Sequence, residues 1–76
     1  MENSESRIVI DPTIMLGKPT IKGTRITVEL ILNLLSEGAA ISDIIDMYPH
    51  VSKEDIKAAL QYASSLVTHE ETLSVA

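Results

Sequence analysis

"ISDIIDMYPHVSKEDIKAAL", residues 41–60, is the stretch whose reading decides the fold. Two helical patterns flank a break at Pro49-His50-Val51. On the near side Ser42 reads as an N-cap, with Ile41 before it as the apolar half of a staple. Ile44, Ile45 and Tyr48 then turn inward from a short helix over residues 43–48. Pro49 ends that helix, because the residue before a proline is driven out of the helical region. On the far side Ser52 opens a third helix, and Asp55, three residues on, supplies the acidic half of a capping box. Ile56, Ala59, Leu60, Ala63 and Val67 make its apolar stripe, while Lys53, Glu54, Lys57, Gln61 and Ser64 face outward. A short helix, a turn and a longer helix are the outline of a helix-turn-helix.

Upstream, residues 28–37 predict another helix. Thr27 is its N-cap, Glu29 suits the dipole in its first turn, and Gly38 is a left-handed stop. Val28, Ile31, Leu32 and Leu35 follow helical spacing. Leu30 and Leu34 lie off that stripe, and only Glu29, Asn33 and Ser36 are polar before Glu37. One buried face does not need so much apolar surface. Leu30 and Leu34 are therefore expected to bury a contact between two copies of the chain.

Before this helix lies "GKPTIKGTRITV", residues 17–28. Pro19-Thr20-Ile21 and Thr24-Arg25-Ile26 are β-capable triplets around Lys22-Gly23, so residues 19–27 predict a small hairpin or irregular β-arm. Pro19 confines its strand to an edge or a strand start. Further upstream, Arg7-Ile8-Val9-Ile10 is a short β-prone run closed by Asp11-Pro12. Residues 1–6, MENSES, read as disordered, and residues 68–76 as a frayed tail. The expected fold is mainly α: a trihelical, homeodomain-like helix-turn-helix core over residues 28–67, with an N-terminal β-arm over residues 7–27.

At 76 residues the chain buries only about 60% of its unfolded surface. It has no cysteine, and His50 and His69 stand apart with no ligand cluster around them, so neither a disulfide nor a metal staples it. Association with a second copy is the remaining supplement to so small a core. The absence of cysteine and of an apolar leader points to the cytoplasm. No apolar run is long enough to span a membrane.

The net charge is −5, unevenly spread. Residues 14–28 hold Lys18, Lys22 and Arg25 and no acid, whereas eight acids face only Lys53 and Lys57 over residues 29–76. Two readings of the basic segment stand side by side. In one it is structural: Gly17 and Gly23 make turns, Pro19 stiffens an edge, and Arg25 bonds Asp11 or Glu29. In the other Lys18, Lys22 and Arg25 form a contact surface for phosphate or an acidic protein face. Arg25 leads that set, because its planar fork suits both groups. Direct DNA reading would use Lys53 and Lys57, one turn apart on the third helix. The neighbouring Glu54 and Asp55 work against phosphates there.

Catalytic chemistry finds no support. "GKPT" has Pro12 and Pro19 where a phosphate-binding P-loop needs Gly and Ser or Thr. No serine sits in a nucleophile elbow. His50 reads as a turn residue, and the acids as complements to helix dipoles. No catalytic residue, metal or cofactor is expected.

"GKPTIKGTRITV", followed by an aliphatic helix and "EGAAISDIIDMYPHVSKEDIKAALQYA", resembles the small prokaryotic family called domain of unknown function 433. The likeness spans residues 7–63 and rests on Gly17, Pro19, Gly23, Thr24 and Arg25, then Tyr48, Pro49, Glu54 and Asp55. The resemblance implies a helix-turn-helix-like trihelical fold with a β-arm, and an antitoxin-like role beside a PIN-like nuclease. The chain is then expected to bind and neutralise that nuclease as a homodimer and to autoregulate its operon through DNA. The alternative is a stand-alone DNA-binding regulator.

Overall fold

The computed structural model describes residues 7–75, and side chains through Thr68. The expected disorder over residues 1–6 and the side chain of His69 lie outside the described residues. Strand β1, Ile8–Val9, pairs antiparallel with β2, Thr20–Ile21, setting Ile8 against Ile21 and Val9 against Thr20. Three α-helices follow among the described residues: α1, Val28–Ser36; α2, Ile41–Met47; and α3, Lys53–Val75.

The predicted arm is right in its turn and incomplete in its pairing. Thr24 N–H donates to the Ile21 carbonyl at 2.9 Å, Ile21 N–H donates to the Ile26 carbonyl at 2.9 Å, and Thr20 bridges Thr27. Gly23 stands at φ 81°, as the third position of a type II turn requires. Residues 24–26 form no strand, however. The chain leaves the ladder at Thr27, whose hydroxyl accepts the Leu30 N–H at 3.0 Å and caps α1. The strand partner of β2 is therefore the Ile8–Val9 run.

Between the two strands the chain makes a turn at Met15–Gly17, with φ of 48° at Met15, 58° at Leu16 and 82° at Gly17. Left-handed backbone costs a residue with a side chain about 1–2 kcal/mol. Leu16 bears that strain and is 94% exposed.

Helix α1 ends as predicted. Gly38 takes φ 103°, its N–H donates to the Leu35 carbonyl, and Ala39 N–H reaches the Leu34 carbonyl at 3.0 Å. These are the two bonds of a Schellman stop. Only Ala39 and Ala40 remain before α2, which corrects the expected cap. The N-cap is Ala40, not Ser42, and Asp43 fixes it by accepting the Ala40 N–H at 2.8 Å. Ile41 is thus the first helical residue and packs against the core, rather than preceding the cap. Tyr48 ends α2 before Pro49, as expected.

The capping box on α3 forms in both directions. Ser52 Oγ accepts the Asp55 N–H at 3.1 Å, and Asp55 Oδ2 accepts the Ser52 N–H at 3.0 Å. Two features of α3 depart from expectation. Its backbone is helical through Val75, past the predicted end at residue 67. An apolar stripe is not needed to prolong a helix that meets no glycine or proline, and residues 53–75 contain neither. The buried face is also rotated. Ile56 and Ala59 are enclosed as predicted, but Ala58 joins them while Leu60 and Val67 are exposed. α3 packs on β1 as well as on α1 and α2. The Ala58–Ala59 face lets the sheet approach, and Leu60, one step of about 100° further round the helix, is turned to water.

The core is aliphatic: Ile8, Ile21, Val28, Ile31, Ile44, Val51, Ile56, Ala58 and Ala59, flanked by half-buried Leu32, Leu35, Ile45, Tyr48 and Tyr62. Leu30 and Leu34 are half-buried, and Leu34 packs against this core. The most exposed large apolar side chains lie elsewhere, at Leu16, Ile10, Val67 and Leu66.

Candidate functional site

The turn at residues 21–24 presents the basic segment. Thr24 stitches it: its hydroxyl donates to the Ile21 carbonyl at 2.8 Å and accepts the Ile26 N–H at 3.0 Å. A turn closed by backbone and side-chain bonds holds its flanking residues in one geometry. Lys22 and Arg25 flank the Gly23-Thr24 tip, and both are exposed.

Arg7 docks this tip on the helical core. Its carbonyl accepts the Lys22 N–H at 2.8 Å, while its guanidinium donates to Asp55 Oδ1 at 3.0 Å. Asp55 gives its other oxygen to Ser52, so one carboxylate both caps α3 and holds the arm. Val51, fully enclosed, anchors the α2–α3 turn from within, and Val51 N–H donates to the Tyr48 carbonyl at 2.9 Å. The result is a shallow concavity of about 540 Å³ lined by Lys22, Gly23, Thr24, Arg25, Ile26 and His50. A second hollow, lined by Ile14, Gly23, Thr24 and Arg25, adjoins it.

The structure divides the three cations singled out from sequence. Lys22 and Arg25 line the concavity, and neither forms an ion pair among the described residues. Lys18 does not line it and instead pairs with Glu29, Nζ to Oε1 at 2.9 Å. Both members of that pair are largely in water, so it adds little stability. The proposed partners of Arg25 are thus otherwise engaged: Glu29 holds Lys18, and Asp11 accepts from Thr13 N–H at 2.9 Å and Thr13 hydroxyl at 2.7 Å. Those two bonds hold the Asp11 carboxyl below the usual carboxylate range.

Two participants were missed in the sequence. Arg7 reads there only as one end of a β-prone run, and its partner lies 48 positions away. His50 reads as an isolated turn residue, and no local pattern links it to residues 22–26. Lys53 and Lys57 are both exposed on α3, beside exposed Glu54, and neither is ion-paired among the described residues. No group of three His, Cys, Asp or Glu side chains fit to hold a metal occurs among the described residues. Among them no helix is long and apolar enough to cross a membrane.

Three helices with a small N-terminal sheet define a mainly α domain with a helix-turn-helix-like core. The sequence profile described as "Protein of unknown function (DUF433)" matches residues 8–63, and the chain belongs to that family. A crystal structure of a DUF433 member protein from Anabaena variabilis ATCC 29413 shares its fold at a TM-score of 0.77. The two are 26% identical, over 92% of this chain and 69% of that one. No curated protein matches the sequence.

Proposed function

We propose that this chain is a cytoplasmic, antitoxin-like protein that binds and neutralises a PIN-like nuclease and autoregulates its operon. The nuclease partner comes from the family resemblance. The observation that carries the binding reading is the pair Lys22 and Arg25, held on a stitched turn beside His50 with no carboxylate paired to them among the described residues. Cations unpaired among the described residues, on a chain of net charge −5, are suited to an acidic partner surface, such as the acidic site of a PIN-like nuclease. Arg25 supplies a planar fork for a carboxylate, and Lys22 a mobile point charge beside it.

The test is a ribonuclease assay on the genomically neighbouring PIN-like protein, with and without this chain. Wild type should suppress cleavage, and Lys22→Ala with Arg25→Ala should restore it. Full inhibition by that double variant removes the role of the concavity. A neighbour with no nuclease activity removes the antitoxin reading itself.

Lys53 and Lys57 favour DNA as a second target, since neither is ion-paired among the described residues and they lie one turn apart on the second helix of the helix-turn-helix pair. Such binding needs two subunits whose basic faces lie about 34 Å apart. It should weaken steeply with salt and vanish in Lys53→Ala with Lys57→Ala. Exposed Glu54 between them ranks this reading second.

A further inference from the structure

Three observations away from the basic concavity meet around Pro19. Leu16 projects into water at 94% exposure from a left-handed backbone at φ 58°. Burial favours the reverse for an aliphatic side chain, and strain of this kind gathers where a protein meets a ligand or partner. Met15, next to it in the chain, is exposed too and widens the projection into an apolar knob. Between α1 and α3 lies a groove of about 250 Å³, formed by Val28, Leu32, Tyr62, Ala63 and Leu66 with Pro19 at its edge. Leu66 is 51% exposed there. Knob and groove are neighbours along the chain: Leu16 and Pro19 are three positions apart, a span of at most about 11 Å.

We infer that this face joins two copies of the chain, with Leu16 of one protomer entering the α1–α3 groove of its partner and the two-fold axis repeating the contact in reverse. A two-fold interface must be self-complementary, which requires the projection and the recess that receives it to share one patch. Charge leaves this patch open to a second copy. Two chains of net charge −5 repel across most of their surfaces. Here Glu29, at the rim of the groove, is neutralised by Lys18, two residues from the knob. In a two-fold pair these charges can exchange partners across the axis at no net cost in charge. The contact deepens the homodimer expected from sequence and moves it from Leu30 and Leu34 to Leu16 and Leu66. It is independent of the nuclease reading, since none of Lys22, Arg25 or His50 lines the groove, whereas the DNA reading needs a dimer and falls with it.

Sedimentation of the full chain at micromolar concentration tests it. Wild type should sediment as a dimer. Leu16→Asn should weaken dimerisation at least about tenfold, because a buried leucine is lost from each half of the contact. Asparagine tolerates left-handed backbone, so the variant's fold should remain intact by circular dichroism. Leu66→Asn, on the exposed helix face, should act alike, whereas Leu30→Asn should leave dimerisation unchanged. The chain contains no cysteine, so Leu16→Cys mixed with Leu66→Cys should give a covalent heterodimer on oxidation. A monomeric wild type, a folded Leu16→Asn that still pairs normally, or the absence of that cross-link overturns the inference. Nuclease inhibition by a monomeric wild type would overturn the pairing alone and leave the antitoxin reading standing.

Discussion

Asp55→Ala should destabilise the fold by about 2 kcal/mol, a sum with three structural sources. The Asp55 carboxylate accepts the Ser52 N–H and so supplies half of a capping box, about 0.5–1 kcal/mol. As a negative charge in the first turn of α3 it complements the helix dipole, about 0.3–1 kcal/mol. It also pairs with Arg7 at 3.0 Å. The Arg7 side chain is about one-third exposed, so screening limits that pair to about 0.5–1 kcal/mol. In a domain of this size 2 kcal/mol lowers the thermal midpoint by about 8–16 °C. Arg7→Ala removes only the pair and should cost about 0.5–1 kcal/mol. Urea denaturation of wild type, both single variants and the double variant closes a cycle, whose coupling should equal the cost of the pair. A functional readout follows from the same geometry. Arg7 docks the arm on α3, so Arg7→Ala should weaken partner binding more than its small stability loss accounts for. Zero coupling, or an Arg7→Ala as damaging as Asp55→Ala, would refute the claim that this bridge assembles the basic concavity.

Other substitutions probe separate parts of the fold. Ile44 is completely enclosed, so Ile44→Ala should cost about 2–5 kcal/mol. That is a large part of the total stability of so small a domain, and the cooperative thermal transition by circular dichroism should shift sharply downward or be lost. At Gly23 an added Cβ meets nothing within 4 Å, so Gly23→Ala reports backbone strain alone. A midpoint lower by about 4–8 °C is expected, from about 1 kcal/mol. Asp11 is held below its ordinary range in the folded chain, so it binds protons less readily there than when unfolded. Its contribution is complete above the unfolded value and is lost as pH falls through the lower folded value. Asp11→Asn should flatten the decline of the thermal midpoint below about pH 4, slightly, because the group lies in water.

Much of this architecture is legible in the chain because its signals are local. Thr27, Gly38, Pro49 and the Ser52–Asp55 box act within one turn of themselves, and each stands where the sequence places it, as does the turn at Gly23. The cap of α2 is misread because Ser42 is a good N-cap in isolation. The Schellman stop just before it delivers the chain to helix two residues earlier, at Ile41. The stripe of α3 is misread because spacing fixes which residues share a face but not which face meets the sheet.

The sequence by itself determined the order of the three helices and the turn at Gly23, since caps, stops and apolar spacing are properties of neighbours along the chain. Tertiary structure alone decided that Arg7 reaches Asp55, that His50 stands beside Lys22 and Arg25, and that Lys18 leaves them for Glu29. It alone decided, too, that the surplus apolar surface lies at Leu16 and Leu66 more than at Leu30 and Leu34. Each of these depends on how residues distant in sequence are brought together, and local pattern carries no record of that distance.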